Sequence, residues 1–355
     1  MDHRTSRAPT VVSLCFTLCA GLTAAGCGLG SHDGDGFDRY DDPVTDQHIT
    51  LQHDLILIEE LVISAGVDSV GPWALAKPRA VFEADDGRIY VLDSDWKHVF
   101  VFGSDGAPLD RLGGGYGSAD GEMVLPVDMD TYNDTFYVLD YELDRVSVFD
   151  LQGHFRYSIS LPYPGRYIAV SREGLWVQLM QTRSAKLVDF YDHDGSPPSL
   201  VAQEHITDSP YLEHGILGTI GRLREGNGIA YVHGSGAFLQ FVRSPAVSSI
   251  VSLGSLSEWK PLPDDPSSRL PVEEPVAVLT WEEDRVMIIS TTLTAPRQMT
   301  VRIIEQDGTL VTGSVFRDMD RFLPVDAGRT PGTIFVSFLD GPARVVKYSI
   351  HADTP

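Results

Sequence analysis

Residues 87–102 read GRIYVLDSDWKHVFVF, and residues 134–149 read DTFYVLDYELDRVSVF. Asp93 and Asp140 fall at the same offset in the two stretches, 47 residues apart, so the chain repeats itself here. Each copy is an apolar run, a short polar loop opened by Asp, and a second apolar run. A turn follows, Ser104-Asp105-Gly106 in one copy and Leu151-Gln152-Gly153 in the other, and then a third run. Runs of this length, rich in Val, Tyr and Phe and bounded by Asp and Gly, are strands. Helical periodicity is nearly absent.

A repeat made only of strands, with a period near 45, cannot bury both faces of its small sheet without a neighbour on each side. The spacing therefore predicts an all-β fold, a six-bladed β-propeller. Blade one is expected from Pro78 to Leu112 and blade two from Pro126 to Leu161. Weaker copies follow at 166–203, 215–254, 275–316 and 321–350, and Pro78 to Ile350 spans 273 residues, or six units of about 45. The last copy stops after its third strand. Ile49 to Ser64, ITLQHDLILIEELVIS, lies ahead of blade one and is expected to supply the missing strand, closing the last blade and leaving no free sheet edge. Asp86-Gly87, Asp105-Gly106, Asp194-Gly195, Asn227-Gly228 and Asp307-Gly308 are hairpin signals between alternating runs. Ser255 to Pro271 carries four prolines and reads as a loop or insertion.

The linker GGGYGSADGEM (113–123) is followed by Pro126, an apolar strand, a turn, YVLD with a polar loop, and then VSVF. This order resembles the NHL-repeat class of propellers and the six-bladed bacterial proteins related to it. The resemblance is specific over Lys77 to Leu161 and extends to the rest by repeat count. Some members of the wider superfamily are lactonases or lyases with a divalent ion on the axis. The resemblance thus implies Ca2+ or another divalent ion as the alternative to a protein without a cofactor.

The first 27 residues are of another kind. Arg4 and Arg7 precede VVSLCFTLCAGLTAAG, the length of a secretory apolar core and shorter than the ~20 residues a spanning helix needs. The segment ends at Ala24-Ala25-Gly26-Cys27, which resembles the bacterial lipobox. That pattern implies lipidation of Cys27 and a place in the cell envelope, and Gly28 in the next position fits outer-membrane sorting. Ala24 stands where the pattern prefers Leu, and ordinary signal-peptide cleavage is the alternative. Cys15 and Cys19 lie inside the signal segment, so the mature chain would keep Cys27 alone and form no internal disulfide. Residues 28–48, rich in Gly and Asp, are expected to be a disordered tether, with the propeller occupying 49–355.

The formal net charge of −23 repels phosphate backbones and anionic headgroups. Nucleic acid is not an expected partner, and the membrane enters only through the lipid. Asp93 and Asp140 recur with the repeat, which fits turn-fixing carboxylates better than metal ligands. Glu83, Asp128, Asp130 and Asp326 lie on or near inner strands and could offer oxygens to a hard cation, Glu83 and Asp128 first among them. Histidines are scattered, with neither HExxH nor His-x-His spacing, and no GxSxG or Walker loop occurs.

In such a disc, the loops between blades and those between the two middle strands gather on one face. Blade one and the linker after it bring Trp96, His98 and Tyr116 there, and blade two brings Tyr141 and Arg145. Arg166, Tyr167 and Arg183 follow from blade three, and Tyr211 and His233 from the region of blade four. Aromatic and Arg side chains dominate interface hot spots. The expected function is a binding or scaffold module whose loop face takes an envelope protein, peptide or glycan. The alternatives are a metal-dependent lactonase, hydrolase or lyase on the axis, and a structural subunit of an envelope complex.

Overall fold

The computed structural model describes residues 55–64, 71–180, 188–193, 218–223, 228–232, 238–244, 247–253, 259–261, 269–271, 273–282, 285–292, 297–339 and 341–352. Their first strand is β1 (Leu55–Ser64). Blade one follows as β2 (Pro78–Glu83), β3 (Ile89–Asp93), β4 (His98–Phe102) and β5 (Pro108–Leu112). Blade two is β6 (Pro126–Tyr132), β7 (Thr135–Asp140), β8 (Arg145–Asp150) and β9 (Phe155–Ser160). Blade three contributes β10 (Gly165–Val170), β11 (Leu175–Leu179) and β12 (Val188–Tyr191), and blade four β13 (Thr219–Arg222), β14 (Ile229–Val232), β15 (Phe238–Ser244) and β16 (Val247–Ser252). A short pair, β17 (Trp259–Pro261) and β18 (Arg269–Pro271), precedes blade five, β19 (Glu273–Glu282), β20 (Arg285–Thr292), β21 (Met299–Glu305) and β22 (Leu310–Phe316). Blade six is β23 (Phe322–Ala327), β24 (Thr333–Phe338) and β25 (Arg344–Ala352).

Each blade is an antiparallel meander, and β1 pairs with β25 as the fourth strand of blade six, from Leu55 opposite Ala352 to Ser64 opposite Arg344. The inner strands meet in the order β2, β6, β10, β13, β19, β23 and return to β2. The ring is a six-bladed β-propeller. The expected strand at Ile49–Ser64 closes it, as the sequence predicts, with residues 49–54 outside the described residues.

Six hydrophobic cores hold the ring, one at each blade interface. They explain why YVLD reads as a continuous apolar run and not as an alternation. Tyr90 and Leu92 face blade two, where Tyr90 meets Phe136 with ring centroids 4.8 Å apart, while Ile89 and Val91 face Phe335 and Val345 of blade six. A middle strand is buried on both sides, and successive side chains feed successive interfaces.

Turn chemistry follows the repeat. Gly87 and Gly106 take φ of 82° and 78°, and blade two makes the equivalent of the Gly87 turn with Asn133 and Asp134 at 46° and 57°, residues that tolerate the left-handed region. Ser255–Pro271, read as a loop or insertion, contributes a strand pair of its own between blades four and five, with β17 and β18 pairing from Trp259–Pro271 to Pro261–Arg269. Its prolines at 261 and 271 sit at the strand ends, where a missing ladder donor costs little.

Candidate functional site

The two ends of the propeller axis differ in chemistry. At one end lie the loops entering the inner strands and those between the middle strands. These loops are built on carboxylates. Asp93 Oδ2 accepts the amides of Ala76 and Lys77 at 2.7 and 2.9 Å, and its Oδ1 accepts those of Asp95 and Trp96 at 3.0 and 3.1 Å. Asp140 does the same for Val124, Leu125, Glu142 and Leu143 at 2.7 to 3.1 Å. Both side chains are buried and both are structural, tying the incoming linker to the loop between the middle strands.

Several of the expected face residues are similarly occupied. Arg145 donates to the carbonyls of Ser118, Ala119 and Glu122 at 3.2, 3.0 and 2.8 Å, pinning the glycine-rich linker. His98 holds its Nδ1 3.3 Å from the carbonyl of Leu112, and burial lowers its pKa. Tyr141 is half-buried, its amide bonded to the carbonyl of Leu125 at 2.9 Å. Trp96 donates its indole N–H to Ala74 at 2.7 Å yet keeps 43% of its surface exposed. Tyr116, in the linker, is 75% exposed. Arg166 and Tyr167 stand at the start of β10, near the axis: the guanidinium lies 5.0 Å over the Tyr167 ring and 3.5 Å from Glu274. Burial raises the Tyr167 hydroxyl, with Arg166 opposing. Arg183, Tyr211 and His233 lie outside the described residues.

At the other end the turns that leave the inner strands surround a cavity of about 1030 Å³ with Phe82, Tyr132 and Trp281 in its walls. Its mouth carries paired charges: Arg88–Asp86 at 2.6 Å, Arg329–Asp85 at 3.1 Å, Arg222–Asp130 at 3.5 Å and Arg156–Asp150 at 3.6 Å. Deeper, the inner-strand carboxylates bridge blades. Asp128 and Asp130 of β6 accept the amides of Ile168 and Val170 on β10 at 2.8 and 2.6 Å, and Asp326 of β23 accepts that of Val81 on β2 at 2.9 Å. An inner strand has a free edge toward the axis, and these side chains satisfy the donors that a further strand would have taken.

Their crowding shows in their acidity. Burial, reinforced by the charge of Asp326, holds Asp128 well above the usual carboxylate range. Burial also raises Asp326, to about 8, against the Val81 hydrogen bond and with the charge of Asp130 adding to it.

Glu83, expected as an oxygen donor, binds Lys347 at 2.8 Å and the Arg329 amide at 3.0 Å. Among the described residues no group of three or more His, Cys, Asp or Glu is placed to hold a metal. His193, in the turn after β12, stacks on Tyr132 with centroids 5.0 Å apart and holds its Nδ1 3.1 Å from the Tyr137 hydroxyl. No spacing in the sequence marks that contact, since it joins blades two and three.

Fold and site together define a six-bladed β-propeller with an aromatic loop face and a charged axial cavity opposite. The model of a family described as a 6-bladed beta-propeller matches residues 75–197. Among solved structures, a protein of Bacteroides fragilis described as exported superposes with a TM-score of 0.58 at 11% identity, covering 84% of this chain and 96% of its own. A member of the duf4221 family from Bacteroides vulgatus gives 0.57 at 9% identity, covering 85% and 99%. A streptogramin B lyase gives 0.51 at 12% identity, covering 84% and 98%. At such identities the likeness is one of fold. No curated protein sequence matches this chain.

Proposed function

We propose that this chain is an exported binding module, held in the envelope by a lipid on Cys27, whose loop face recognises a protein, peptide or glycan. One observation carries the reading. Among the described residues the exposed aromatics are Trp96, Tyr116 and Tyr163, at 43%, 75% and 44% exposure, and all three belong to the loops of that face. Met180, 37% exposed, lies at the same end of β11. The other exposed large apolar side chains, such as Leu109 and Val311, belong to outer strands at the rim of the disc. Flat aromatic area at low entropic cost is what a recognition surface needs. The rigid capping of the same loops by Asp93, Asp140 and Arg145 supports it, because pre-organised loops lose little on binding.

The test is capture of a partner from envelope extracts with the full chain, compared with a triple variant Trp96→Ala, Tyr116→Ala, Tyr163→Ala. Loss of the partner at an unchanged melting midpoint is expected, and undiminished capture would sink the loop-face reading. For the anchor, Cys27→Ala should abolish metabolic fatty-acid labelling and release the chain from the membrane fraction. Labelling that persists would overturn lipidation at Cys27.

A further inference from the structure

Inner strands of five blades carry a register shift near their start, between Pro78 and Ala80, Pro126 and Asp128, Gly165 and Tyr167, Pro275 and Ala277, and Phe322 and Val325. Such bulges re-aim a side chain and gather at functional sites. In blades two and five the bulged residues are Val127 and Val276; in blades one and three they are arginines, Arg79 and Arg166.

Arg79 is half-buried, and the charged or titratable groups within its electrostatic range come from four blades: Tyr167, Asp95, Arg321 and Asp128. Only the axis is shared by four blades, so the guanidinium sits at the axial mouth of the loop face. Lys77, two residues away, also lies within electrostatic range of Arg79 and Arg321. Two other guanidiniums at this end are paired, Arg166 with Glu274 at 3.5 Å and Arg302 with Glu273 at 3.0 Å. Arg79 differs from both in that, among the described residues, no carboxylate forms an ion pair with it, and its Nε is buried without a hydrogen-bond partner. An orphaned buried donor on a charged group is costly, and a guanidinium cannot relieve that cost by losing its proton.

We propose that Arg79, with Tyr167 within its electrostatic range, forms a carboxylate-binding subsite at the axial mouth of the loop face. The proposal rests on the loop-face reading and names the chemistry of what that face takes: a ligand that ends in, or displays, a carboxylate. The planar fork of Arg79 matches a carboxylate in bidentate geometry. Asp95, Asp128 and Glu274 already act on Arg79 or Tyr167 here, so a single negative charge suits the mouth better than a phosphate dianion.

The probe is acetate, followed by the melting midpoint of the full chain against sodium chloride at matched ionic strength. Ligand that binds only the folded state raises the midpoint as its concentration passes the dissociation constant. The midpoint should rise with acetate and not with chloride. Arg79→Met should lose about tenfold or more in apparent acetate affinity, and Arg79→Lys, which keeps the charge without the fork, should fall between. Arg111→Met, an exposed site on β5, should respond as the parent does. No acetate response in the parent, or an undiminished one in Arg79→Met, overturns the subsite; a response to phosphate and none to acetate overturns the carboxylate assignment. Partner capture that depends on Trp96 without any acetate response would leave the loop face standing and remove only the subsite.

Discussion

Asp326 accepts the backbone N–H of Val81 at 2.9 Å, across 245 positions of sequence. The bond ties the last blade to the first at the axis, while β1 on β25 ties the N-terminal strand to the last blade at the rim. The ring is thus latched at both radii, by a hydrogen bond inside and a strand ladder outside.

The inner latch has a pH dependence of definite sign. Asp326 has a folded-state pKa of about 8, above the ~3.9 of an unfolded chain. Between those values the folded state holds more protons than the unfolded one, so stability falls as pH rises through that window and levels off above about 8. Asp326→Asn keeps an acceptor for Val81 and removes the titration. It should lessen the slope between pH 5 and 8, leaving the share that Asp128 contributes, and stabilise the protein at pH 8 by about 1–3 kcal/mol after solvent screening, as read by urea unfolding. An unchanged slope would mean that the carboxyl titrates in its ordinary range.

The outer latch predicts the effect of truncation. Removing residues 1–64 deletes β1, exposes the edge of β25 and uncovers apolar side chains such as Val346 and Ile350. The shortened chain should melt lower by about 10 °C or more and self-associate on gel filtration. A monomer of unchanged midpoint would show that closure at the rim is dispensable.

The repeat made the fold legible because its markers are local. Pro78 and Leu112, expected as the bounds of blade one, are the first residue of β2 and the last of β5, and Pro126 opens β6 as expected. Asp-Gly turns and the YVLD run depend on neighbours a few residues away, so a single sequence displays them. The axial chemistry does not have that property. Nothing near Arg79 announces a bulge, and nothing in PVDMD says that Asp128 and Asp130 will accept amides from β10. Those contacts arise from packing blade against blade, and alternation alone leaves an inner-strand carboxylate equally readable as a metal ligand. The loop-face aromatics were half legible: position gave the face, while exposure separated Trp96 and Tyr116 from the capping roles of His98 and Arg145.

Asp140 should matter more to stability than any single apolar contact around it. Its two oxygens satisfy the amides of Val124, Leu125, Glu142 and Leu143, and Asp140→Ala would leave these without their acceptor. A loss of about 2–4 kcal/mol in urea unfolding is expected, with Asp140→Asn recovering part of it, since the amide oxygen can serve some of the four donors. An alanine variant as stable as the parent would show that solvent replaces the carboxylate freely.

Arg145 provides a separable test of loop order. Its three bonds to the linker carbonyls of Ser118, Ala119 and Glu122 are made by one guanidinium, whereas the linker's own bonds, such as Gly114 to the carbonyl of Gly121 at 2.8 Å, are local. Arg145→Ala should cost about 1–2 kcal/mol globally, because the blade cores are untouched. Its larger effect should be local: faster proteolysis and amide exchange across 113–123, near Tyr116, with the other blades protected as before. Lysine at this position cannot span three carbonyls with a planar fork, so Arg145→Lys should protect the linker only partly. Equal exchange in the parent and Arg145→Ala would mean that the glycine-rich linker orders itself, leaving Arg145 free to meet a partner.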